Sequence, residues 1–291
     1  VSSEFFVRFI LTFHKREVQL MPAAEKKYFY ISSLAKGLKV LELLADEQDQ
    51  SVSDVAKTLG FNRASSHRFL ATLMDLGYVE KSTDNRYRLA FKVMEMGLMM
   101  ANRIEVRQVA RPYMQRLSNS FNETVNLGYF DGRDILHVDK IDSREILRID
   151  SPLGSRAPAY CTALGKVLLA FLPPEELNTF LAGMKLKPQG PNTITSRKKL
   201  LEELKNIRKQ HVAVDDEELS AGLRCVASPI FDHTGRANYA ISISGPLVRH
   251  TFERIAQIQI SVRDMCGEIS EKLGNASLTY QKKRVQPILT R

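Results

Sequence analysis

Leu34, Leu38, Leu41 and Leu44 recur at three- and four-residue spacing, which predicts a helix with one apolar face. The acidic, polar stretch from Asp46 to Gln50 ends it. Ser53 is placed to cap a second helix, Asp54 to Leu59, with Asp54 at its positive end and Gly60 as a left-handed stop. Asn62 then caps a third helix reaching about Leu76, with Phe69, Leu70 and Leu73 turned inward and Gly77 closing it. Val79 to Lys81 and Tyr87 to Leu89 read as short strands around the turn-forming residues Ser82 to Arg86. Two helices, a glycine turn, a capped third helix and a hairpin make a winged helix-turn-helix.

Phe91 to about Ser118 reads as one long helical region, within which Pro112 starts a new helix. The pattern then changes. Strands are expected at Thr124 to Phe130, Asp134 to Lys140, Glu145 to Ile149, Arg224 to Phe231 and Tyr239 to Ser244. Helices are expected at Thr162 to Leu172, Glu175 to Ala182, Arg197 to Gln210 and Phe252 to Leu273. This order suggests an α+β domain with an antiparallel sheet. The expected organisation is an N-terminal extension (1–30), a winged helix-turn-helix (31–92), a linker helix (93–118), a second domain (119–275) and a basic, disordered tail (276–291). Met21 precedes the first recognisable element, so residues 1–20 read as an upstream extension or a misassigned start.

Charge refines this picture. The formal net charge is +9, yet residues 31–100 and 119–275 are each neutral. The excess lies in residues 1–30, in residues 101–118 (four Arg against one Glu) and in the last sixteen residues. A positive field favours polyanions without naming one. The three cysteines, Cys161, Cys225 and Cys266, form no CxxC, which argues for a reducing compartment and against a disulfide framework or zinc finger. The apolar run from Phe5 to Phe13 is nine residues long and contains Arg8, too short to span a bilayer and unlike a signal peptide. A cytoplasmic protein without a membrane partner is expected.

The third helix begins Asn62, Arg63, Ala64, Ser65, Ser66, His67, Arg68. A recognition helix presents short or polar side chains in its first turns, facing base edges in the major groove. Arg reads guanine, Ser reaches bases or phosphates, and Ala leaves room for a thymine methyl. Arg86 and Arg88 of the hairpin are placed for phosphate or minor-groove contacts. These nine residues are the candidate DNA contacts.

The segment SVSDVAKTLGFNRASSHRFLATLMDLGYV (Ser51 to Val79) closely resembles the winged helix of the IclR family of bacterial regulators. PAYCTALGKVLLAFLP (Pro158 to Pro173) resembles the family's segment at the mouth of its effector pocket, and DDEELSAGLRCVASPIFDHTGRANYAISISGP (Asp215 to Pro246) its most specific signature. The resemblance covers about residues 30–275. It implies a winged helix joined through a long helix to a ligand-binding domain of the GAF and PAS group. It further implies dimers through the DNA-binding half, often tetramers, and control of operons for small carbon sources. Carried over by motif, Asp215, Cys225, Ser242 and Ser244 would be polar pocket positions. Ala163 and Leu164 would offer backbone N–H groups to a ligand, and Ile146 and Ile149 would form apolar wall. Such a site suits a small carboxylate, such as a sugar acid or an aromatic-pathway acid. His211 stands where the family usually has Gly, and Tyr160 where His is common.

Other chemistry finds little support. Cys225 with His137, His211 or His233 has no nucleophile–base spacing, so no catalytic residue is expected. The six histidines show no HxH or HxxxH pairing with acids, so neither metal nor cofactor is expected. The acidic run Asp215 to Glu218 reads as a solvated loop. A pseudo-palindromic double-stranded operator bound by a dimer, one recognition helix per half-site, is the expected partner.

Overall fold

The computed structural model describes residues 30–47, 49–102 and 104–275. The expected tail and all but the last residue of the expected extension lie outside them. The described chain divides near residue 103 into two compact units.

The first unit holds α1 (Ser32–Asp46), α2 (Val52–Leu59), α3 (Arg63–Asp75), β1 (Val79–Lys81), β2 (Tyr87–Leu89) and α4 (Phe91–Asn102). Its core is Val40, Leu43, Leu44, Val55, Leu70, Val79 and Tyr87. Only the second half of α1 reaches that core. Leu34 and Leu38, read from their spacing as inward, are 60% and 51% exposed. Ser51, not Ser53, caps α2, because Ser51 and Asp54 stand three apart and satisfy each other's backbone N–H in a capping box. Gly60 ends α2 at φ +67°, and Asn62 Oδ1 accepts the Ser65 N–H at the start of α3. β1 and β2 form the antiparallel wing, to which Gln50 adds a bridge at Tyr87.

The second unit begins with α5 (Glu105–Phe121). The helical region therefore breaks beside Ile104, whose extended backbone starts α5, while Pro112 lies inside that helix rather than opening one. Then come β3 (Thr124–Phe130), β4 (Asp134–Ile141), β5 (Arg156–Pro158), α6 (Ala163–Leu169), α7 (Pro174–Gly183) and α8 (Arg197–Gln210). The unit closes with β6 (Ala213–Asp216), β7 (Leu223–Ile230), β8 (Tyr239–Pro246) and α9 (Phe252–Lys272). The strands form one antiparallel sheet in the order β5-β4-β3-β8-β7-β6.

Side chains alternate across that sheet. Val125, Leu127, Val226, Ile241 and Ile243 meet α5 and α9 through Met114, Leu117, Ile258 and Val262. Ile135, Ala227, Leu223 and Ala240 meet α6 and α8 through Leu164, Val167, Leu200 and Leu204. Asp139 on β4 pins α5, taking Arg107 Nε at 3.2 Å and Arg111 Nη1 at 2.6 Å. No strand forms at Glu145 to Ile149, which belongs to the loop between β4 and β5. Among the described residues no helix is long and apolar enough to cross a membrane.

Candidate functional site

The first half of α3 presents two faces. Arg63, Ala64, His67 and Arg68 are exposed and Ser65 is half-buried, while Leu70 enters the core. Ser66 fails as a DNA contact: it is fully buried, and its hydroxyl donates to the Asn62 carbonyl at 3.2 Å. The helical period places it one position round from the exposed stripe, on the inward side. The wing arginines are exposed but engaged. Arg88 Nε meets Glu80 at 2.6 Å, and Arg86 lies 3.7 Å from both Asp54 and Asp84.

A second constellation lies on the α6 side of the large sheet. Residues in register share a face. One row runs Thr124, Ser244, Cys225, Asp215 across β3, β8, β7 and β6. The next runs Lys140, Asn126, Ser242, Ala227. Asp215, Ser242 and Ser244 are all under 5% exposed, a concentration of polar groups within a largely apolar interior.

α6 lies against this face. Its cap Thr162 accepts the Gly165 N–H at 3.1 Å, leaving the Ala163 and Leu164 amides as the first two of the helix. Glycine is required at 165 because a Cβ there would sit 2.0 Å from the Ala159 carbonyl oxygen. A Cβ on Gly128 would meet Leu164 Cδ1 at 2.9 Å, so β3 is bare where Leu164 rests on it. The β4–β5 loop crosses the Thr124 end, where the Thr124 hydroxyl donates to the Ile149 carbonyl at 2.9 Å. Ile149 packs on the same core, but Ile146 is 96% exposed and lines nothing. Its segment is an irregular loop rather than a strand, so alternation does not apply there.

Asp215 is buried. Its Oδ1 accepts the Glu218 and Leu219 N–H groups at 2.8 and 3.3 Å, and its Oδ2 has no partner. Burial, reinforced by the nearby Glu218 charge and opposed by Lys166, pushes its carboxyl up to about 7. Burial also holds the Cys225 thiol well above its usual range. Lys166, fully buried on α6, ion-pairs with Glu218 and lies 3.4 Å from Glu203; burial disfavours its charge, but these carboxylates outweigh that and keep it ammonium. The acidic run is thus an interior brace, not a solvated loop: Asp216 pairs with Arg224 at 2.6 Å, and Glu218 with Lys166.

Asn126 is the polar residue that the sequence reading passed over. It is 1% exposed, its Nδ2 donates to Ser244 Oγ at 3.3 Å, and its Oδ1 has no partner. The signal was present, since Thr124, Asn126 and Gly128 alternate with Val125 and Leu127. His137, opposite Gly128 on the same face, is held neutral by burial, with its imidazole pushed down to about 4.

The rival chemistries do not assemble. β4, carrying His137, is three strand steps from β7, and the in-register neighbours of Cys225 are Asp215 and Ser244. His211 caps α8 at φ +58°, the backbone region glycine favours, so the turn that Gly would form is kept. Its ring packs between Phe171 and Phe231. Tyr160 turns its hydroxyl to the Lys187 carbonyl, 2.7 Å away, and so braces a loop. Among the described residues, no group of three or more His, Cys, Asp or Glu is arranged to hold a metal.

Comparison with known proteins agrees with this division. Residues 33–83 match the family model for the IclR helix-turn-helix domain, and residues 99–271 that for the bacterial transcriptional regulator IclR C-terminal region. The chain is 34% identical to the transcriptional regulator KdgR of Escherichia coli K12 over 245 residues, 84% of this chain and 93% of that one. It matches the crystal structure of Thermotoga maritima IclR at a TM-score of 0.71 and 34% identity, covering 84% of this chain and all of that one. An IclR homologue from Microbacterium hydrocarbonoxydans, crystallised with 4-hydroxybenzoate, matches at a TM-score of 0.74 and 25% identity over 83% of this chain and 98% of that one.

Proposed function

This chain belongs to the IclR family of bacterial transcriptional regulators, and from that premise we propose that it controls a catabolic operon in the cytoplasm, releasing or engaging its operator in response to a small organic acid. The observation that carries this reading is the buried polar row Thr124–Ser244–Cys225–Asp215, which ends in a carboxyl oxygen with no partner. A core built only for stability has no use for such a row, because an unsatisfied buried polar group costs roughly 1–3 kcal/mol. A ligand that brings donors and a carboxylate removes that cost.

In this reading the effector contacts Asp215, Cys225, Ser242 and Ser244, with the amides of Ala163 and Leu164 and the side chain of Ile149 closing the site. Sugar acids and aromatic-pathway acids are the two effector classes considered. Asn62, Arg63, Ala64, Ser65, His67 and Arg68 meet a pseudo-palindromic operator, and Arg86 and Arg88 approach the phosphates. Residues 31–92 act as the DNA-binding domain, 93–118 as the linker and 119–275 as the effector domain. The chain works as a homodimer or homotetramer. Its α4 exposes Phe91, Met94, Met96, Leu98, Met99 and Met100, a surface suited to a second copy.

Selection of sheared genomic DNA on the purified protein, near physiological salt, tests the DNA half. Enrichment of a palindromic site is expected, and Arg63→Ala or Arg68→Ala should weaken specific binding by ~1–3 kcal/mol. Full discrimination retained in both variants would refute the placement of the reading helix. For the other half, Ser242→Ala with Ser244→Ala should abolish the ligand response and leave operator binding intact.

A further inference from the structure

The wing carries three basic and two acidic residues between Val79 and Leu89, whereas α3 carries no acid before Asp75. Strand register shows where one of the wing acids stands. Val79 pairs with Leu89 and Lys81 with Tyr87, and Val79 and Tyr87 belong to the core, so these two pairs face inward. Glu80 and Arg88 form the pair between them and face outward. There they close on each other: Arg88 Nε lies 2.6 Å from Glu80 Oε1, with the side chains 55% and 42% exposed. Arg86 is held differently. Its guanidinium donates to the Asp49 carbonyl and lies 3.7 Å from Asp54 on α2, so it ties the wing to the rest of its unit. Arg88 is tied only to its cross-strand neighbour on the outer face, where a polyanion would arrive.

Resting on the reading that the wing approaches DNA phosphates, we propose that Glu80 is an intramolecular stand-in for a phosphate, which occupies the Arg88 guanidinium in the DNA-free protein and so weakens sequence-independent binding to duplex DNA. A carboxylate and a phosphate offer an arginine the same arrangement of anionic oxygens. A phosphate therefore engages Arg88 only by displacing Glu80, and the wing gains one contact as it loses another. Attraction to DNA of random sequence is electrostatic and counts each cation that displaces a counterion from the duplex. Arg88 closed on Glu80 is not counted, because its charge is already matched. The exposure of both side chains keeps the exchange open, since an exposed ion pair is held only weakly. Glu80 thus restrains the affinity of the wing without blocking it.

The test is binding of the full chain to a short duplex of random sequence, followed by fluorescence anisotropy over a series of salt concentrations. Wild type is compared with Glu80→Gln and with the double variant Glu80→Gln, Arg88→Ala. Glu80→Gln keeps the length of the side chain and removes its charge. It should raise affinity about two- to fivefold at fixed salt, the range in which exposed ion pairs lie. It should also steepen the dependence of log affinity on log salt by about 0.9 per protomer, the slope of one more phosphate contact. Its melting temperature should stay near wild type, which separates release of Arg88 from damage to the hairpin. The double variant removes the closed pair altogether and should return affinity and slope to wild type. The proposal is overturned if Glu80→Gln leaves both at wild type; a double variant that then falls below wild type would leave the wing on the phosphates but show that Glu80 never restrained it. Failure of the underlying reading looks different: the double variant matches Glu80→Gln, so that Arg88 meets no phosphate even when freed.

Discussion

At the scale of single residues, the clearest consequence concerns Asp215. Its carboxyl titrates near 7 in the folded protein against an ordinary value of 3.8, because burial disfavours the charge. Between those two values the native state holds a proton that the unfolded chain lacks. The favourable contribution of this group is therefore complete below about 4 and lost as pH rises through 7. Asp215→Asn keeps an oxygen for the Glu218 and Leu219 N–H groups but cannot ionise. The variant should melt near wild type at pH 4 and progressively above it from pH 4 to 7, with the difference levelling off above that, as thermal denaturation at each pH would show; a constant difference would mean that Asp215 stays charged. The position of Asp215 was legible because its motif is specific, whereas its role in an interior brace was not. Four consecutive acids read as surface until Lys166, 52 residues before Glu218, is folded onto it. Ser66 misled in the opposite way. Serine in a reading helix reads as exposed, and only the packing of α3 shows that it faces inward.

At the scale of elements, short-range chemistry was the most legible and the least packed segments the least. Gly60, Asn62 and the wing hairpin carry their signals within a few residues, and they fold as those signals require. β5 and β6 are three- and four-residue edge strands with too few positions to show a period, and β5 ends in Pro158. Glu145 to Ile149 alternates well enough to suggest a strand but finds no partner. The cap of α2 shows how one residue shifts an element boundary. Ser53 and Ser51 both precede acids, but only Ser51 has one at the third helical position. Ser51→Ala should therefore cost about 1 kcal/mol, read as a lower denaturant midpoint at unchanged slope, while Ser53→Ala should cost a few tenths at most. Equal losses would place the cap at Ser53 after all.

At the scale of the whole molecule, order along the chain was legible because each unit announces itself by a different period. The coupling between them was not, since it depends on which side chains the second unit turns towards α5. The chain continues from α4 into α5, and α5 is pinned to β4 where Asp139 receives Arg107 and Arg111. The next residue of β4, Lys140, points to the other face, shares a register row with Asn126 and Ser242, and holds Asp142 and Asp150 of the β4–β5 loop at 3.0 and 2.8 Å. One strand thus touches the polar face proposed to hold the effector on one side and α5 on the other. If occupancy of the site shifts β4, α5 moves with it through these arginines. Arg111 is half exposed but Asp139 is buried, so Arg111→Ala, which leaves Arg107 on that carboxylate, should cost no more than about 3 kcal/mol of stability. Its effect should fall on coupling. The ratio of operator affinities with and without effector, ordinarily about 5–150-fold for an allosteric protein, should move towards one. Effector affinity with and without operator must change by the same factor, because the two ratios are one free energy. Measuring both ratios on wild type and variant makes the prediction strict. A fall in one without the other would signal damage to a binding site, and two unchanged ratios would remove the α5–β4 ion pair from the route.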